Sequence, residues 1–150
     1  MLAQVKKMQE RLINILLVED DEVDVMNVQR AFKRHNIENP LYVASNGLEA
    51  LSMLRDQGKG AIPASRRLVL LDLNMPRMGG IEFLYALRSD AELRMTPVIV
   101  LTTSNQDRDR VEAYNLNVAG YILKPVTFSK FADTMDVLNK YWALCEMPVE

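Results

Sequence analysis

The chain has 150 residues, 25% of them charged, and a formal net charge of -2. That length makes one domain with enough apolar residues to bury a core. The near-neutral balance and the lack of a basic block argue against nucleic acid as a partner, a single cysteine, Cys145, excludes an internal disulfide and suits a reducing compartment, and no apolar run is long enough to cross a membrane.

Residues 1–12, with Lys6, Lys7, Glu10 and Arg11 among scattered apolar side chains, read as an N-terminal extension. It is either a short amphipathic helix or a frayed tail. It lacks the apolar segment of a secretory signal, so a cytoplasmic protein is expected. Residues 13–18 form a first strand that runs into Glu19-Asp20-Asp21-Glu22. Acids in a first helical turn complement the helix dipole, which accounts for Asp21 and Glu22. Glu19 and Asp20 stand earlier, where the strand ends, and are expected to belong to a site.

Residues 22–35 read as a helix with Val25, Val28 and Phe32 on one stripe, and Val23 and Met26 off it. His35, the one histidine, suits a helix C-terminus and is given no catalytic role. Residues 40–44 read as a second strand. Asn46-Gly47 turns and caps a second helix over 48–55, with Leu48, Leu51 and Leu54 at helical spacing. A surface loop over 56–67 leads to the central strand. Beyond it follow a helix over 80–88, a strand over 97–102, a rather polar helix over 106–116, a strand over 119–123 and a last helix over 127–144. Strands that alternate with helices five times imply an α/β domain, a doubly wound five-stranded parallel sheet of flavodoxin-like (βα)5 type covered on both faces.

The central strand begins at Leu68 as a branched apolar run, and is stopped by Asp72, Asn74, Pro76, Gly79 and Gly80. Asp72 therefore sits at the carboxyl end of a buried strand, where open α/β sheets place their ligand chemistry. Three other strands also end in polar residues, at Glu19 and Asp20, at Thr102 and at Lys124. The carboxylates make a hard, oxygen-rich pocket suited to Mg²⁺. A metal and Lys124 would neutralise phosphate oxygens around a carboxylate nucleophile, and Thr102 would bond one of those oxygens.

This arrangement resembles the receiver domain of bacterial two-component response regulators. The matching residues are Val18-Glu19-Asp20, the run from Asp72 to Gly80, Thr102-Thr103, and Gly120-Tyr121 through Lys124-Pro125, within a match over about residues 13–140. The resemblance implies that Asp72 receives a phosphoryl group from a kinase phosphohistidine and later loses it slowly. It implies Mg²⁺ held by Asp20, Asp72 and the main-chain carbonyl of Asn74, with Glu19 acting through water. Thr102 and Tyr121 would form a switch pair, with Thr103 beside them. Lys124 would contact the phosphate, and the bond before Pro125 would be cis. Glu19 stands where the family more often has Asp, and Gly79 where it often has Asp. A narrower resemblance, carried by the loop before Arg67, the phrase 101–105 and the tail around Tyr141, Trp142, Met147 and Pro148, is to stand-alone regulators that partner bacterial and cyanobacterial phytochromes. A phytochrome-type histidine kinase is thus the expected partner.

The receiver occupies 13–145 and leaves a short tail over 146–150, so output is expected through protein contact. In the last helix Phe128, Phe131, Met135, Leu138, Trp142 and Cys145 form one seam, and Val137, Tyr141 and Leu144 a second stripe. The helix is expected to outrun the domain, exposing Trp142 and Leu144 and giving a homodimer face of Val137, Tyr141, Trp142 and Leu144. Two readings from other classes compete. A phosphohydrolase with an Asp nucleophile wants an acid/base at position 74, where Asn stands. A flavodoxin-like cofactor binder wants a phosphate-cradling loop after the first strand, where an acidic run stands.

Overall fold

The structure, a computed structural model, describes residues 2–3, 12–55 and 61–148. From residue 14 on, the described residues form five strands alternating with five helices: β1 (Asn14–Val18), α1 (Glu22–Arg34), β2 (Leu41–Ala44), α2 (Gly47–Leu54), β3 (Arg67–Leu71), α3 (Gly80–Ser89), β4 (Val98–Thr102), α4 (Asp107–Asn115), β5 (Gly120–Leu123) and α5 (Phe128–Leu144). The strands form one sheet of order β2-β1-β3-β4-β5. Every neighbouring pair is parallel. The N-terminal extension and the tip of the loop before β3 lie largely outside the described residues.

Successive strand residues point to opposite faces, and the core divides accordingly. Leu16, Val18, Val69, Leu71, Val98 and Val100 pack against α2 and α3 with the single buried residue of α4, Ala113. Ile15, Leu17, Leu68, Leu70, Ile99 and Leu101 pack against α1 and α5. β3 and β4 are buried at every position, as strands covered on both faces must be.

Local signals set the helix ends. Asp21 caps α1 by accepting from the amides of Val23 and Asp24, and Lys33 and Arg34 lie in its last turn, against the negative end of the dipole. Asn46 caps α2 through the Glu49 amide at 2.9 Å, while the Ser45 hydroxyl donates to the Glu49 carboxylate at 2.7 Å. In α2 the buried side chains are Ala50, Leu51, Met53 and Leu54, whereas Leu48, expected on the core stripe, is 57% exposed. The Arg88 guanidinium, at the end of α3, donates to four main-chain carbonyls: Leu116 and Asn117 after α4, and Arg94 and Thr96 before β4.

The last helix corrects one expectation. Trp142 is 1% exposed and is core, its ring 6.2 Å from that of Phe32. Ile13, Phe32 and Ile37 extend the α1–α5 layer as far as the last turn of α5, and Met147 folds back against the same cluster. The helix does not outrun the domain on that side. Val137, Tyr141 and Leu144 are exposed, at 64%, 51% and 84%.

The two stripes of α5 should therefore differ sharply in urea unfolding. Trp142→Ala is expected to cost about 3–5 kcal/mol, and Leu144→Ala less than about 0.5 kcal/mol; equal effects would contradict the burial.

Candidate functional site

The parallel registers bring four strand ends together. Val18 pairs with Leu71, so Glu19 and Asp72, one residue further on, lie side by side. The Asp72 amide donates to the Val18 carbonyl at 3.0 Å, which fixes the step. Thr102 is the last residue of β4 and pairs with Leu123, and the Lys124 amide donates to the Thr102 carbonyl at 2.8 Å. Glu19 is 3% exposed, Asp72 6% and Thr102 fully buried.

The loop after Asp72 is held by two close approaches. A Cβ on Gly80 would lie 2.6 Å from the Asp72 carbonyl oxygen and 2.6 Å from Leu73 Cα, so only glycine starts α3 this near the strand. The Gly47 amide donates to the Met78 carbonyl at 3.1 Å, and a Cβ there would lie 2.7 Å from Met78 Cγ. Asn74 lies in this loop with its side chain exposed.

Asp72 Oδ1 accepts a 2.8 Å hydrogen bond from the Thr102 hydroxyl. The Lys124 ammonium stands 3.9 Å from the same oxygen. Its close contacts lie elsewhere, 2.6 Å to Glu19 Oε2 and 2.9 Å to Asp24 Oδ2. Asp24, in the first turn of α1, is a site residue that sequence reasoning missed. The signal was its place one turn into a helix that begins at the acidic run. Ser104 is another: its amide donates to the Thr102 hydroxyl oxygen at 3.2 Å, its hydroxyl donates to Asp109 Oδ2 at 2.5 Å, and its carbonyl accepts from the Tyr121 hydroxyl at 2.9 Å. Thr103, expected beside the switch pair, is exposed and takes no part in the described hydrogen bonds. The bond before Pro125 is not cis, since no cis peptide bond occurs among the described residues. A tertiary amide favours trans by about 0.5–1 kcal/mol unless packing selects cis, and the turn here is open, with Val126 fully exposed.

The charges are not balanced. Burial pushes the Glu19 carboxyl up from 4.5 to about 7, against the pull of its hydrogen bond to Lys124. Burial also raises Asp72, with the Lys124 charge and the Thr102 hydroxyl opposing. Lys124 is itself pulled down by burial, but its bonds to Glu19 and Asp24 outweigh this and hold it up, so the ammonium stays charged. Carboxylate oxygens of Glu19, Asp20 and Asp72 lie within 4.8 Å of one another, with Asp20 open to solvent. All-oxygen donors with surplus negative charge fit a hard divalent cation. The expected carboxylates therefore do converge, with Thr102 and Lys124 beside them, while Tyr121 is linked to them only through Ser104 and Thr102.

The family model described as "Response regulator receiver domain" matches residues 15–136. The chain is 38% identical over 130 residues to the probable methanogenesis regulatory protein FilR2 of Methanothrix harundinacea, over 85% of this chain and 82% of the relative. It is 34% identical over 128 residues to response regulator Rcp1 of Synechocystis, over 85% and 87%. Among solved structures, the phosphorylated cyanobacterial phytochrome response regulator RcpA matches with a TM-score of 0.83 at 32% identity, over 92% of this chain and 99% of that one. The Mn(2+)-bound form of Rcp1 matches at 0.79 and 33%, over 91% and 99%.

The raised Glu19 sets a pH signature for protein stripped of metal. Folding holds a proton that the unfolded chain releases above about 4.5, so stability should fall as pH rises from about 4.5 to about 7. Glu19→Gln should flatten most of that fall in thermal melts with chelator, Asp72 supplying the remainder. A wild type whose melting temperature rises over this range would refute the assignment.

Proposed function

Because this chain belongs to the response regulator receiver family, we propose that Asp72 accepts a phosphoryl group from a sensor histidine kinase and that the protein signals by protein contact. Receiver-domain response regulators are signalling proteins, and they bind a divalent metal. The observation that carries the reading is the setting of Asp72: a buried carboxylate at the end of the central strand, bonded to Thr102, with Lys124 3.9 Å away. An Asp72 oxygen attacks phosphorus, the bond to the histidine nitrogen breaks, and the imidazole leaves with the electron pair. Thr102 and Lys124 would receive the new phosphate oxygens, a role supported by their distances of 2.8 and 3.9 Å from Asp72 Oδ1.

Glu19, Asp20, Asp72 and the main chain at Asn74 are the residues that would hold Mg²⁺, which when bound neutralises negative charge between carboxylates and phosphate. The switch is read through Thr102: once its hydroxyl turns from Asp72 to a phosphate oxygen, the bonds of Ser104 to Tyr121 and Asp109 transmit the change to α4. Asn74 leaves no acid/base where a haloacid-dehalogenase-like hydrolase needs one, so only slow loss of the phosphoryl group is expected. A phytochrome-type kinase is the proposed donor, from the likeness to RcpA, named a phytochrome response regulator. No helix among the described residues is long and apolar enough to cross a membrane; the proposed place is the cytoplasm. The proposed domain runs over 13–145 between the extension and the tail.

The stripe of Val137, Tyr141 and Leu144, without Trp142, is the proposed homodimer face. A second copy is its simplest cover, since two-fold contacts are the commonest oligomer geometry. Large apolar side chains contribute about 1.5–3 kcal/mol each on burial, before association costs.

Intact mass after incubation with acetyl phosphate and Mg²⁺ tests the acceptor. Wild type should gain one phosphoryl group and Asp72→Asn none; equal labelling of both sinks the reading. Sedimentation tests the face. Wild type should run as a dimer at micromolar concentration, and Tyr141→Asp with Leu144→Asp as a folded monomer that still takes phosphate. A monomeric wild type returns the stripe to another partner.

A further inference from the structure

The Lys124 ammonium is shared unevenly among three carboxylates. Two of its three protons are committed, to Glu19 at 2.6 Å and to Asp24 at 2.9 Å, while Asp72 stands at 3.9 Å, beyond hydrogen-bond reach. Glu19 belongs to the metal pocket, so a cation there competes with Lys124 for it. Asp24 does not belong to that group of three. It sits on α1, one turn from the site, one-third exposed, and its ion pair ties the end of β5 to α1.

We infer that Asp24 is a positioning residue that holds the Lys124 ammonium on the α1 side of the site, in competition with any phosphoryl group on Asp72. This rests on the reading of Asp72 as the phosphoacceptor. To meet a phosphate oxygen, the ammonium gives up part of its bond to Asp24 or shares it in a poorer geometry. The strength of that bond is therefore subtracted from the affinity of the site for the phosphoryl group. A neutral amide at position 24 removes the charge competition and keeps the shape. Asp24 thus sets how readily the switch is thrown, without touching phosphate, metal or Asp72.

The probe is beryllofluoride, a trifluoride that mimics a phosphoryl group on an aspartate, titrated calorimetrically into full-length protein at saturating Mg²⁺. Asp24→Asn should bind it about threefold or more tightly than wild type, a partly exposed ion pair being worth little more. Asp24→Glu should return toward wild type. Glu22→Gln changes net charge equally and lies in the same first turn, yet Glu22 makes no ion pair among the described residues. It should leave the affinity within error. The rise of melting temperature with Mg²⁺ alone should match wild type in Asp24→Asn, which separates positioning of Lys124 from damage to the metal pocket.

Unchanged or weaker beryllofluoride binding by Asp24→Asn overturns the inference while the phosphoacceptor reading stands. So does an equal gain in Glu22→Gln, which would make the effect one of net charge. A wild type that neither binds beryllofluoride nor gains phosphoryl mass overturns both.

Discussion

Two carboxylates, Glu19 and Asp72, are buried at the ends of adjacent parallel strands and are answered by a single lysine. Everything near the site follows from that imbalance. Taking an acid out of water is unfavourable unless cations or hydrogen bonds replace the hydration. Here the backbone register imposes the burial, since Val18 and Leu71 pair and both strands are sealed in the sheet. The answer has to come from the neighbouring strand ends. Thr102 supplies a hydroxyl, β5 supplies the ammonium of Lys124, and the open side at Asp20 leaves a way in for a divalent cation. A pocket that relaxed into neutrality by itself would have no use for either metal or phosphate.

The strands and the site were legible because both rest on short-range rules. Apolar runs that stop at polar residues gave the five strands to within a residue or two. Parallel order then made the carboxyl ends coincide without any knowledge of contacts. One helix cap was readable, Asn46, which caps α2 in the structure; Asp21, read only as a first-turn acid, and Thr127, not singled out, cap α1 and α5 in the same way. What stayed hidden depends on coverage by elements distant in the chain. Trp142 lies on the seam that periodicity identified, yet whether it is buried depends on Phe32, Ile13 and Ile37 reaching the last turn of α5. Leu48 fits a core stripe by spacing, yet only its neighbours Ala50, Leu51, Met53 and Leu54 are covered. Asp24 reads as an ordinary first-turn acid until β5 places Lys124 against it, 100 residues later in the chain. The isomer before Pro125 is a choice between states of nearly equal energy, which no local pattern decides.

The hydrogen bonds that lead away from Asp72 are few and directional. Thr102 reaches Ser104, and Ser104 reaches both Tyr121 on β5 and Asp109 in the first turn of α4. Arg110 lies over the Tyr121 ring at 5.8 Å, so α4 also meets β5 through a cation–π contact. α4 contributes only Ala113 to the buried core. A helix held mostly by polar contacts at its N-terminal end has little apolar packing to resist displacement, which suits an element that answers to a change at Asp72.

The opposite end of α4 is held differently. The planar guanidinium of Arg88 spans the chain just after α4 and the turn before β4 with four bonds, all to main-chain oxygens. Main-chain acceptors are indifferent to side-chain changes, and none of the four carries a charge that phosphate at Asp72 would alter. If α4 is displaced by a change at Asp72, those bonds would make Arg88 its fulcrum. A displacement of a given angle would then move the Asp109 end farthest and leave Leu116 and Asn117 in place. The larger movement would fall at the end of the helix that is tied, through Ser104 and Thr102, to Asp72.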